Sequence, residues 1–134
     1  MIGVLVVTHG SIGEALLTSA SQILGDPPAQ VATLSVWRQD DPDDLVLRAR
    51  ELLESLDAGD GVLVLTDIFG ATPGNVVSRL LEDGRVEGVS GASLPMLLRV
   101  LTRRNGSLSA AVKRALSGGS EGVVHMNSDR CLDA

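Results

Sequence analysis

Two residues of this sequence stand where chemistry is easiest to build: His9, directly after the apolar run of residues 2–8, and Asp67, directly after the apolar run of residues 61–66. An imidazole can act as nucleophile through one ring nitrogen while a carboxylate accepts a hydrogen bond from the other. That bond fixes the tautomer, leaves a lone pair free to attack, and stabilises the cationic character the ring acquires. A lone histidine is usually a packing or surface residue, so the case for His9 rests on its surroundings. Gly10 follows it and lets the backbone turn freely. Ser11 and Glu14 then have the S-x-x-E spacing of a capping box, which predicts a helix starting beside the histidine. Free amides and a partial positive charge at a helix start suit a phosphate. After Asp67 the chain reads Ile68-Phe69-Gly70-Ala71-Thr72-Pro73, with Thr72 read as an N-cap and Pro73 at the first helical position. An imidazole with anion-binding backbone on two sides points to a histidine that itself carries a phosphoryl group. Gly10, Ser11, Gly70 and Ala71 would supply backbone donors to that group, and Thr72 a hydroxyl.

These residues meet only if the elements behind them are neighbours. Residues 2–8 and 61–66 are continuous aliphatic runs, the pattern of strands covered on both faces of a parallel sheet. Residues 31–37 and 86–91 are weaker strands. Helices are expected after Ser11 as far as Leu24, from the acidic stretch 40–44 through Leu56, from Thr72 to about Leu81, over 93–104, and from Ser107 to about Leu116. Gly118-Gly119 is read as a break, leaving a short final strand over residues 122–126. Strands alternating with helices in this way form a three-layer α/β sandwich with a mainly parallel sheet. With the order 2-1-3-4, the first and third strands flank the point where strand order reverses. Ligands of such sheets bind there, outside the carboxyl ends.

The composition narrows the function. The chain has 134 residues, 44% apolar and 21% charged, which fits one domain over residues 1–134. Eleven basic against seventeen acidic residues give a net charge of −6, which opposes nucleic-acid binding. One Trp, one Phe and no Tyr leave no stacking platform for single strands. No apolar run approaches a membrane span, and the start of the sequence lacks a basic region of the kind that precedes a secretory signal; a cytoplasmic protein without membrane insertion is expected. The single cysteine, Cys131, excludes an internal disulfide framework and a cysteine-based zinc site, and no cofactor or metal is called for. No P-loop and no Gly-rich dinucleotide turn is present. His125, the other histidine, falls in the expected last strand and reads as a packed or edge residue. Phe69, Met96 and Trp37 are candidate docking anchors or core residues. Arg99, Arg103 and Arg104 read as a solvated basic face.

Three segments together carry a resemblance: V-V-T-H-G-S-I-G-E-A-L around His9, D-I-F-G-A-T-P-G-N from Asp67 to Asn75, and S-G-A-S-L-P-M-L-L from Ser90 to Leu98. In that order and spacing, over nearly the whole chain, they resemble the enzyme IIA component of the mannose family of the phosphoenolpyruvate-dependent sugar phosphotransferase system. The resemblance implies that His9 accepts a phosphoryl group from the small carrier HPr and passes it to a IIB component. Asp67 then orients the ring, and Thr72 lies near the phosphate. It also implies a 2-1-3-4 sheet with an added antiparallel strand, and a homodimer. Ile68 departs from the pattern, since sugar-transporting members often carry a hydroxyl residue there. No IIB domain follows, so the IIB partner would be a separate chain. Other readings are a regulatory phosphocarrier without transport, the phosphotransfer subunit of a dihydroxyacetone kinase, a metal-chelating enzyme with H-G-S after its first strand, and a non-catalytic module binding a phosphorylated ligand.

Overall fold

The computed structural model describes residues 1–129. Four parallel strands, β1 (Gly3–His9), β2 (Val31–Val36), β3 (Val62–Thr66) and β4 (Val86–Ser90), form one sheet in the order β2-β1-β3-β4. The helices are α1 (Ile12–Leu24), α2 (Pro42–Leu56), α3 (Thr72–Ser78), α4 (Leu94–Leu101), α5 (Leu108–Glu121) and the single turn α6 (Met126–Asp129). The three-layer architecture and the 2-1-3-4 order match the sequence-based expectation.

Strand geometry explains why β1 and β3 read as continuous apolar runs. Successive side chains point to opposite faces. Leu5, Val7, Val62 and Val64 therefore pack on one face with Leu45, Ala49, Leu53 and Leu56 of α2 and Val76 and Val77 of α3. Val4, Val6, Leu63 and Leu65 pack on the other with Ala20 of α1, Leu97 and Val100 of α4, and Ala111 and Ala115 of α5. Both cores are aliphatic, with Met96 the one sulfur-bearing side chain among them. The helix α2 starts as its acidic sequence requires: Asp41 is extended and its carboxylate accepts the amide of Asp43 at 2.9 Å. Ser93 and Ser107 likewise cap α4 and α5.

The C-terminal region differs from expectation. Gly118-Gly119 does not break the last helix, which continues to Glu121, and residues 122–126 are not a strand. The glycines serve helix packing. A Cβ on Gly118 would lie 3.1 Å from both the Cα of Met96 and the Cβ of Arg99, so α5 can approach α4 this closely only without one. Here the close-packed neighbour outweighs a propensity cost of about 1 kcal/mol per glycine. His125 accordingly lies in an exposed irregular stretch before α6, with its Nδ1 2.8 Å from the hydroxyl of Ser128. The strand β4 is left at the edge of the sheet. Helix α3 is also shorter than the periodicity suggests, ending at Ser78. Cys131 lies outside the described residues. Among the described residues no helix is long and apolar enough to cross a membrane.

Candidate functional site

Parallel pairing aligns β1 and β3 so that their carboxyl ends are adjacent, Val7 facing Thr66; β3 ends there, while β1 runs on beside β2 through Thr8 to His9. His9 and Asp67 meet at that end of the sheet. The Asp67 Oδ2 atom lies 2.8 Å from His9 Nδ1 and also accepts the backbone amide of His9 at 3.0 Å. Its other oxygen accepts the amide of Ile68 at 3.0 Å. The carboxylate is thus fixed by three contacts, and one of its oxygens ties the backbone and ring of the histidine together. The two side chains differ in exposure, 49% for His9 and 12% for Asp67. Partial burial acts to raise the Asp67 carboxyl. It is outweighed by the bonds from the ring and amide of His9 and by the charge on that ring, so the group sits below its usual range. With Nδ1 engaged as a donor to a carboxylate, Nε2 is the ring nitrogen that keeps its lone pair.

The turn after His9 is built differently from the capping box read in the sequence. Gly10 adopts φ +47 and donates its amide to the carbonyl of Val36 at 2.9 Å. Ser11 makes no side-chain cap. The cap comes from Thr8, whose buried Oγ1 accepts the amide of Gly13 at 2.8 Å. Glu14 is drawn instead to β2, where it accepts the hydroxyl of Ser35 at 3.1 Å. Thr8, the residue before the histidine, went unrecognised in the sequence because its inward direction depends on strand register. Gly13 is needed for the same contact, since a Cβ there would lie 3.1 Å from Thr8 Oγ1.

On the Asp67 side, Gly70 at φ +87 leads into an extended Ala71, and Ala71 rather than Thr72 is the N-cap of α3. Thr72 is the first helical residue and is exposed, with its hydroxyl taking no capping role. Of the residues singled out in the sequence, Asp67 is the one that bonds to the His9 ring. Gly10 and Ser11 lie on the loop leaving His9, Gly70 and Ala71 on the loop leaving Asp67, and Thr72 at the start of α3. Phe69 is 81% exposed. Met96 is buried in the core and is no docking anchor. Nor is Arg104 part of a solvated basic face: it is buried, with its guanidinium donating to the carbonyls of Ile2 and Gln30. Arg99 reaches Glu121 and Ser117 across the α4–α5 contact.

Comparison with known proteins bears on what this arrangement is for. The family described as "PTS system fructose IIA component", of the mannose-type EIIA class, matches residues 3–116. The chain belongs to this family. It is 32% identical over 125 residues, 91% of its length, to the PTS system mannose-specific EIIAB component of Escherichia coli (strain K12), spanning 38% of that protein. The chain thus covers well under half of that first relative. It is also 32% identical over 105 residues to the PTS system fructose-specific EIIA component of Bacillus subtilis, covering 78% of this chain and 71% of the relative. Among solved structures, phosphotransferase system component EIIA from Streptococcus agalactiae superposes with a TM-score of 0.85 at 26% identity, over 96% of this chain and 99% of that one. The mannose-family EIIA fold follows.

Proposed function

We propose that this EIIA chain carries the phosphoryl group on His9, accepting it from the phosphohistidine of HPr and delivering it to a IIB component. The observation that carries this reading is the 2.8 Å contact between His9 Nδ1 and the Asp67 carboxylate, with the imidazole half exposed. In the forward step the Nε2 lone pair attacks phosphorus in line. The new Nε2–P bond forms as the N–P bond to the donor imidazole breaks, and the electron pair of that bond returns to the donor nitrogen. As Nε2 bonds to phosphorus the ring gains positive charge, and Asp67 stabilises it through Nδ1–H. The second step reverses these roles with the IIB nucleophile. Ser11, Gly70 and Ala71 are the candidate backbone donors to the phosphoryl oxygens and Thr72 the candidate hydroxyl, whereas the Gly10 amide, expected from the sequence to join them, is already given to the carbonyl of Val36. The reading places the protein in the cytoplasm, where HPr and enzyme I supply the phosphoryl group. A homodimer formed through the free edge of β4, flanked by the 330 Å³ groove between α3 and α5, fits the same reading.

The test is incubation with phosphoenolpyruvate, enzyme I and HPr, followed by intact-mass measurement. The expected result is an acid-labile gain of about 80 Da, lost in His9→Ala and kept in His125→Ala. An unmodified wild-type chain, or a modified His9→Ala variant, refutes the assignment.

A further inference from the structure

The chain has one tryptophan and one phenylalanine and no tyrosine, yet neither aromatic is spent on the core. Trp37 is 50% exposed and Phe69 81% exposed. Both stand on loops leaving the carboxyl end of the sheet, beside the histidine. Trp37 follows Val36, the register partner of His9. Its six-membered ring passes within 3.2 Å of where a Gly10 Cβ would stand, so the indole lies over the turn that follows the histidine. The indole is also on a rigid mount. The amide of Trp37 donates to Asp40 Oδ2 at 2.8 Å and the amide of Asp40 returns to the carbonyl of Trp37 at 3.0 Å. Ile12, where the turn after His9 enters α1, and Ile68, on the loop after β3, are exposed as well. Exposed apolar side chains gathered from three loops around one reactive group mark a contact surface. The charge beside it is acidic on balance: after Arg38 come Asp40, Asp41, Asp43 and Asp44, of which Asp43 is paired with Arg79.

Resting on the phosphocarrier reading, we propose that Trp37 is a specificity-determining docking residue, seated against a protein that presents its phosphohistidine on an apolar patch with a basic rim. In-line transfer puts the donor nitrogen and His9 Nε2 on opposite sides of one phosphorus atom. A protein that brings its own histidine so near must cover the loops around His9, and the indole over Gly10 is among the first surfaces it meets. Transient complexes bury little area, below about 1,200 Å² in all. A large aromatic contributes disproportionately to such a contact. The acidic segment after Trp37 steers a basic rim toward the same place.

The experiment measures initial rates of transfer from phospho-HPr at varied concentration. Trp37→Ala is expected to raise KM about tenfold while kcat falls less than twofold, and Trp37→Phe to recover most of the loss. Leu47→Ala, an exposed apolar residue on α2 outside these loops, is expected to leave KM unchanged. A second measurement covers the case in which Trp37→Ala fails to fold. Trp37 is the sole tryptophan, so titrating wild-type protein with a tryptophan-free HPr should shift its emission to the blue as the indole is covered. Wild-type protein that accepts phosphate normally, with KM unchanged in Trp37→Ala or emission unmoved by HPr, overturns the docking role and leaves the carrier function standing. A wild-type chain that never accepts phosphate overturns the carrier reading itself.

Discussion

Replacing Asp67 by Asn tests whether the carboxylate acts as a charge or only as a bracket for the ring. Asparagine keeps the size, and its one oxygen can still accept from the ring and amide of His9, with the amide of Ile68 left to solvent; it cannot answer the charge that develops when Nε2 bonds to phosphorus. Two unit charges about 4 Å apart at an effective dielectric near 20 interact by about 4 kcal/mol. The Nδ1–Oδ2 distance of 2.8 Å and the half-exposed ring place the pair in that regime. If about half a charge has developed in the transition state, the carboxylate contributes roughly 2 kcal/mol. The difference between a charge-assisted and a neutral hydrogen bond adds about 1 kcal/mol. A total of 2–3 kcal/mol corresponds to a transfer rate lower by about 30- to 150-fold. The assay is single-turnover transfer from phospho-HPr at saturating concentration, with the phosphohistidine resolved by acid-lability. The same substitution removes a pH-dependent contribution to stability. Because the folded Asp67 is held below its ordinary value of 3.8, its contribution is fully present above that value and is lost as pH falls through the lower folded one. The Asn variant should therefore unfold less steeply in acid. A rate within threefold of wild type would show that Asp67 holds the ring but does not share its charge, and the argument for its role would be wrong.

Two structural predictions rest on the same region and on the packing behind it. Thr8→Val keeps the side-chain shape but removes the acceptor for the buried Gly13 amide, at a cost of about 1–2 kcal/mol. Ser11→Ala, which touches no cap, should cost less than about 0.5 kcal/mol, and thermal melts of the pair separate the two capping schemes; equal losses would restore the sequence-based cap. Gly118→Ala gains about 1 kcal/mol of helix propensity. It also drives a Cβ to within 3.1 Å of the Met96 backbone and 3.3 Å of the Pro95 carbonyl. The expected net loss is about 1 kcal/mol, or roughly 4 °C in Tm, and a stabilised variant would show that α5 can move off α4 freely.

Much of this molecule can be read from its sequence because two-sided burial leaves a strong mark. Residues 2–7 and 61–65 carry no polar side chain since both faces of β1 and β3 are covered, and their neighbouring places in the sheet put His9 beside Asp67. The elements that resisted reading depend on what lies opposite them in space. Ser11-x-x-Glu14 satisfies the spacing of a capping box, yet Glu14 finds Ser35 on β2 and Thr8 caps from within the sheet. Gly118-Gly119 looks like a helix break unless α4 is already in place. Arg104 looks like a surface cation until the carbonyls of Ile2 and Gln30 are seen to surround it, where burial lowers its basicity without dislodging the proton.

The division of the His9 ring between its two nitrogens explains why orientation and recognition fall to different residues. A carrier meets two partners in turn, so the reactive side of its ring must stay open, and nothing that covers that side can be permanent. Stabilisation of charge must then come from the side that no partner touches. Asp67 meets this requirement: it is largely buried, fixed by the amides of His9 and Ile68, and bonded to Nδ1. Groups held in place before reaction need no reorganisation during it; on the proposed reading the same held carboxylate would assist acceptance of the phosphoryl group and stabilise the phosphorylated ring that must later release it. Selectivity between partners cannot be built into that buried side, since it is identical for both. On the proposed reading it falls to the rim, where the exposed Trp37 and Phe69 are the aromatics of a chain that has only these two.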